Sequence, residues 1–206
     1  MIAPTRDTLV ARRAAAALLA ALMLAACASP APTRFYTLLA PAGPTAAAPN
    51  PAYAIEVLPA EVPGQVDVPQ LVVRSGAGEL TLVETRLWAA PLRDELRTAL
   101  SELLRARLGV RDVYRLARAD ELPVWRIKLV VGRFDTELGV AARIQAGWSI
   151  RGDKATLSCA SLASEAIGAG FEAAVQGHQR ALAHIADEIA AAVRALQTGP
   201  LPSCSP

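Results

Sequence analysis

Along this chain the spacing of apolar residues switches between two and roughly four, and each switch marks a change of element. Across residues 53–58, Ile55 and Val57 alternate with Ala54 and Glu56, the period of a strand with one buried face. A shorter β-rich run, Arg34-Phe35-Tyr36-Thr37-Leu38-Leu39, precedes it. Prolines 59, 63 and 69 then interrupt, predicting an irregular surface loop over 60–70. Leu71-Val72-Val73-Arg74 and Glu79-Leu80-Thr81-Leu82 flank Ser75-Gly76-Ala77-Gly78, whose glycines suit a tight turn, so this stretch predicts a hairpin. Next, Pro91 suits a first helical turn, and Leu92, Leu96, Leu100, Leu103 or Leu104, and Leu108 recur at three- and four-residue intervals up to Gly109, a natural C-cap. Residues 110–116 predict a strand and 117–122 a loop. Period two returns over 125–131 and 140–150, and 155–161 follows the turn Arg151-Gly152-Asp153-Lys154, which together predict an antiparallel meander. From Phe171 onward, Val175, His178, Leu182, Ile185, Ile189, Val193 and Leu196 mark one stripe of a long helix. The expected fold class is α+β: a largely antiparallel sheet with two main helices packed on one face.

Residues 1–26 follow another logic. Arg6, Arg12 and Arg13 lead into an apolar run over 14–23, and Leu24-Ala25-Ala26-Cys27 closes it. This string resembles the lipobox of bacterial lipoproteins, in which the chain is cut before the cysteine and the cysteine is acylated. The resemblance implies that Cys27 is the lipidation site and first mature residue, with several acyl chains giving stable anchoring. A transmembrane helix needs about 20 apolar residues, and Ser29, Pro30 and Pro32 end this run too early. The competing reading is an ordinary cleaved signal with an incidental cysteine. Ala28 stands where Gram-negative lipoproteins kept in the inner membrane usually have Asp, so the resemblance implies an outer-membrane location on the periplasmic face. The expected organisation is a signal peptide over 1–26, a lipidated tether with a short first strand over 27–52, an α+β domain over 53–197, and a Pro-rich tail over 198–206.

The net charge of +2 belongs to the presequence, through Arg6, Arg12, Arg13 and Asp7, so the mature chain carries no basic field for nucleic acid. Of the three cysteines, Cys159 and Cys204 remain once Cys27 is acylated, and an exported chain meets an oxidising compartment. A Cys159–Cys204 disulfide is expected, worth roughly 3 to 4 kcal/mol in the chain-entropy model. Two unpaired thiols are the alternative.

Candidate chemistry changes this picture little. His178 and His184 share the long helix but lie about 240° apart around it, so they do not jointly bind a metal, and no HExxH spacing is present. Gly168-Ala169-Gly170-Phe171-Glu172-Ala173 matches G-x-G-x-x-A, yet the acidic residues about 20 positions on, Asp187 and Glu188, fall inside the same helix rather than after a second strand. The glycines read as a flexible helix start. Ser75, Ser149, Ser158 and Ser161 lack a nucleophile-elbow or S-x-x-K setting. The carboxylates Asp135 with Glu137, and Asp120 with Glu121, sit beside turn or strand-end signals, where solvated surface is the default. The expectation is no catalytic residue, no metal and no cofactor.

Three further strings carry a second resemblance: Arg34-Phe35-Tyr36-Thr37-Leu38, then Pro69-Gln70-Leu71-Val72-Val73-Arg74-Ser75-Gly76 with Glu79-Leu80, then Trp88-Ala89-Ala90-Pro91-Leu92. In this order they resemble the PqiC-type ABC-transport auxiliary lipoproteins, over about residues 33–196. The family implies a non-enzymatic outer-membrane lipoprotein that works with an MCE-domain protein in intermembrane lipid transport, as a docking adaptor and a homo-oligomer. Arg74, Glu79, Arg86 and Trp88 are the candidate partner-binding residues; a fold-stabilising role for Arg74, Glu79 and Trp88 is the alternative. An adaptor regulating cell-wall synthesis and a periplasmic hydrolase are the rival functions.

Overall fold

The computed structural model describes residues 10, 31–41, 52–116, 122–153, 155–198 and 204. The chain divides into Met1–Pro32 and a folded body, Thr33–Pro206. Cys27 and the expected signal peptide, apart from Val10, lie outside the described residues, as does most of the expected loop at 117–122.

The described elements of the body run β1 (Arg34–Tyr36), β2 (Ala54–Val57), β3 (Gln70–Arg74), β4 (Leu80–Trp88), α1 (Leu92–Leu108), β5 (Val124–Glu137), β6 (Ala141–Arg151), β7 (Thr156–Ala166) and α2 (Phe171–Thr198). The class is α+β. The strands form two sheets, ordered β1-β4-β3 and β2-β5-β6-β7. Both are mixed: β1 runs parallel to β4 and β2 parallel to β5, while the other pairs are antiparallel. Parallel neighbours need a long crossover rather than a tight turn. The chain between β2 and β5 supplies one, and it contains the β3–β4 hairpin and α1.

Leu92, Leu96, Leu100 and Leu104 are fully buried, because a four-residue step keeps them on one face of α1. Asp94 and Glu95 in its first turn and Arg105 and Arg107 in its last complement the helix dipole. Gly109, at φ 66°, ends the helix by returning its N–H to the Arg105 carbonyl. Helix α2 packs against β6, β7 and α1, with Leu182, Ile185, Ile189 and Val193 in the shared core. Its small residues Ala181, Ala186 and Ala190 are buried as well, which lets neighbouring backbones come close.

Three expectations change on folding. Residues 110–116 are not a strand: Asp112 makes a single bridge to Ile55, and its carboxylate accepts hydrogen bonds from the Val57 and Tyr114 amides, Arg97 and Ser101. The bridge holds two backbone hydrogen bonds, from the Ile55 amide to the Arg111 carbonyl and from the Val113 amide to the Ile55 carbonyl, and the Asp112 carboxylate supplies the acceptors beyond it. Strand β5 continues past Val131 to Glu137 through a bulge near Gly132, where the alternation readable in sequence is broken. Strand β1, expected within the tether, is built into the body. Its Tyr36 carbonyl accepts the Ala89 amide, the Glu95 carboxylate accepts Thr37 Oγ1 (2.7 Å) and the Leu38 amide (2.8 Å), and Gln179 donates to the Thr37 carbonyl.

Candidate functional site

The expected partner-binding residues divide between interior and surface. Trp88, at the end of β4, is 5% exposed and meets Phe134 edge-on with ring centroids 6.0 Å apart. Phe134 in turn stacks on the His178 imidazole at 3.9 Å, and His178 Nε2 shares a 2.8 Å hydrogen bond with Thr136 Oγ1. This ladder ties β4, β5 and α2 together. Complete burial drives the His178 pKa down to about 3, against a smaller opposing pull from Asp135, so the ring is neutral at ordinary pH. Arg74 donates to the buried Asp135 carboxylate at 2.8 Å and Arg133 does so at 2.6 Å. Burial alone would raise the Asp135 pKa, but the hydrogen bonds and charges of the two guanidiniums outweigh it and hold the carboxyl below its ordinary value. Arg74 and Trp88 are therefore engaged with neighbouring residues of β5.

Glu79 is exposed at the hairpin turn, where its carbonyl accepts the Ser75 amide. Arg86 lies over the Phe171 ring at 5.3 Å and donates to the Thr85 carbonyl and hydroxyl. The four residues thus do not converge on one surface.

What the fold does create beside Trp88 is a groove of about 580 Å³ at the junction of β4 and α1, lined by Val68, Pro69, Trp88, Ala89, Ala90 and Pro91. Asp67 and Arg93 also line it and form an ion pair. In the sequence, Asp67, Val68 and Pro69 read only as surface loop, because no local pattern announces that they approach the start of α1. A second cleft of about 400 Å³ lies at the far end of the longer sheet, among Tyr53, Val124, Trp125, Gly152, Asp153 and Leu196. A Cβ at Gly152 would stand 2.5 Å from the Trp125 ring, so any larger residue there displaces the indole.

Other singled-out residues have structural surroundings. His184 is exposed on α2, its Nδ1 3.2 Å from Glu165, whereas His178 is buried. Gly170, at φ 120°, precedes α2 and accepts the Ala174 amide, consistent with a helix start. Ser161 accepts Trp148 Nε1 at 2.8 Å and donates to Glu188. Asp135 is the buried ion-pair acceptor described above, and Glu137 pairs with Arg143. Cys159 and Cys204 are joined by a disulfide, with Cα atoms 5.5 Å apart. Among the described residues, no cluster of three or more metal-ligating side chains occurs and no helix is long and apolar enough to cross a membrane.

The model of the family described as "ABC-type transport auxiliary lipoprotein component" matches residues 36–190. The chain belongs to this family. It is accordingly a lipoprotein auxiliary component of ABC-type transport, held at a membrane of the cell envelope, in a family of transport components rather than enzymes. The family assignment agrees with the PqiC-type resemblance read from the three strings. Two crystal structures share the fold. One, of an uncharacterized protein, has a TM-score of 0.64 at 16% identity and covers 79% of this chain and 99% of its own. The other, a Xanthomonas campestris protein, has a TM-score of 0.57 at 21% identity and covers 76% of this chain and 92% of its own. No curated protein matches the chain at a significant level.

Proposed function

We propose that this auxiliary lipoprotein is an outer-membrane docking adaptor, without enzymatic activity of its own, in an ABC/MCE-type intermembrane lipid transport system. The observation that carries the reading is the family match over residues 36–190, which spans β2 through β7, the last residue of β1 and most of α2. The acylated thiol of Cys27 holds the body at the inner leaflet of the outer membrane, and Ala28 is compatible with sorting to that membrane. An MCE-domain protein is the partner, and several copies of this chain assemble to receive it.

The groove beside Trp88 suits the docking step. Its Ala-Ala-Pro segment is polar only at the backbone, and the Asp67–Arg93 pair supplies a charged rim, the arrangement of an apolar centre with polar surroundings usual for recognition surfaces. Arg74 acts one step removed in this reading, by fixing β3, while Trp88 both lines the groove and fixes the end of β4. Glu79, at the hairpin turn, and Arg86, over the Phe171 ring, lie outside the groove lining.

A photo-cross-linking residue placed at the exposed Ala89 should give a covalent adduct with an MCE-domain protein in intact cells. The same residue at Leu162, on β7, should not. Absence of the Ala89 adduct in cells expressing both proteins at normal levels would sink the docking reading.

A further inference from the structure

We propose that the corner of the body carrying Phe35 rests on the lipid surface to which the chain is anchored, with the ring at headgroup depth. This rests on the acylation of Cys27 proposed above and names the surface that the anchored body presents to the bilayer. Phe35, in the middle of β1, is 66% exposed. Alternation along β1 sends Arg34 and Tyr36 to one face, where both reach Glu172 at 3.2 and 3.3 Å. Phe35 points to the other face, in register with Leu87.

A lone exposed aromatic is ordinary; its distance from the anchor along the chain sets this one apart. Phe35 lies eight chain steps after Cys27. Fully stretched they reach roughly 26 to 29 Å, and as a flexible coil about 16 Å. A body of this length has a radius of gyration of about 16 Å. The tether is therefore too short to hold the body a full width away from the bilayer. Nor does the corner slacken, because β1 is fastened by the Ala89 amide, Glu95 and Gln179. Of the exposed large apolar side chains in the folded body, Phe35 is the one nearest the acyl chains in sequence. An aromatic ring at headgroup depth is a chemistry that bilayer surfaces accept.

The test uses the acylated full-length protein in vesicles of phosphatidylethanolamine and phosphatidylglycerol with brominated acyl chains. Phe35→Trp should add emission that the bromines quench at least about two-fold, over the background of Trp88, Trp125 and Trp148. Leu162→Trp, 71% exposed on β7 in the wild type, should add emission that is not quenched. Equal quenching at the two positions, with the protein still floating with the vesicles, overturns the proposal and leaves the lipid anchor standing. Loss of flotation, with an unacylated N-terminus by mass spectrometry, overturns the anchor itself and this contact with it.

Discussion

His178 concentrates the residue-scale physics of this protein. Its ring is 1% exposed, sandwiched against Phe134 and hydrogen-bonded to Thr136, so protonation would place a charge where water does not reach. In the unfolded chain the imidazole takes a proton near pH 6.5, in the fold only near pH 3. Between these values the unfolded state binds more protons, so stability must fall as the pH falls. The full window corresponds to about 4 to 5 kcal/mol. Asp135, whose carboxyl is held low, pulls in the same direction at the acid end, since its ion pairs are lost on protonation. Urea unfolding midpoints measured between pH 7 and pH 4.5 should decline, and a His178→Gln variant should lose most of that slope. A slope unchanged in the variant would show that another group sets it. The residue also illustrates how far local reading goes. Its position on the apolar stripe of the predicted helix announced burial, but Phe134 and Thr136 come from β5, about forty positions away, and no spacing rule names them.

At the scale of elements, α2 and the β6–β7 pair meet at unusually close range around Gly177. A Cβ added there would stand 2.3 Å from Ile167 Cγ2 and 2.9 Å from Ala142 Cβ. The Ala142 methyl is fixed to the β6 backbone and has no rotamer through which to withdraw, so the helix or the strand must shift. Glycine to alanine normally favours a helix interior by up to about 1 kcal/mol; overpacking costs about 1 to 3 kcal/mol. The second effect should win. A Gly177→Ala variant is expected to melt several degrees lower than the parent by circular dichroism, whereas an equal or higher melting temperature would mean that the interface relaxes freely. The sequence marks α1 and α2 clearly because their periods are long and strong. It marks β5 and β7 short: Gly132 interrupts the first, and Leu162-Ala163-Ser164-Glu165-Ala166 has little β-branched character. Their full lengths come from the ladder with β6, which supplies backbone partners along residues 141–151.

For the molecule as a whole, the disulfide between Cys159 and Cys204 closes a sequence separation of 45 and joins the chain's end to β7. In the entropy model such a closure is worth about 4 kcal/mol, less any strain it introduces. Reduction should add about two mass units and lower the urea midpoint. Cys204→Ser should reproduce the reduced protein's midpoint and be insensitive to reductant. A non-reduced chain that already titrates as two free thiols would contradict the bond. The other molecule-scale feature is the separation of tasks. The trio Trp88, Phe134 and His178 and the Arg74–Asp135 pair lock the hairpin to the longer sheet, while the groove outside Trp88 remains open.

What the sequence by itself determined was everything that depends on short-range periodicity and local chemistry: the two helices with the Gly109 stop, the Ser75–Gly78 turn, the meander, the lipobox-like string at Cys27 and the α+β class. Only the tertiary structure decided which strands are neighbours, that two of the pairings are parallel, that Arg74 and Trp88 face inward, and that Asp67 and Val68 come to border the start of α1. The physical reason is the same in each case. A residue's intrinsic period fixes which way its side chain points relative to its own element, but its burial and its partners depend on another element whose distance along the chain leaves no trace in the local pattern.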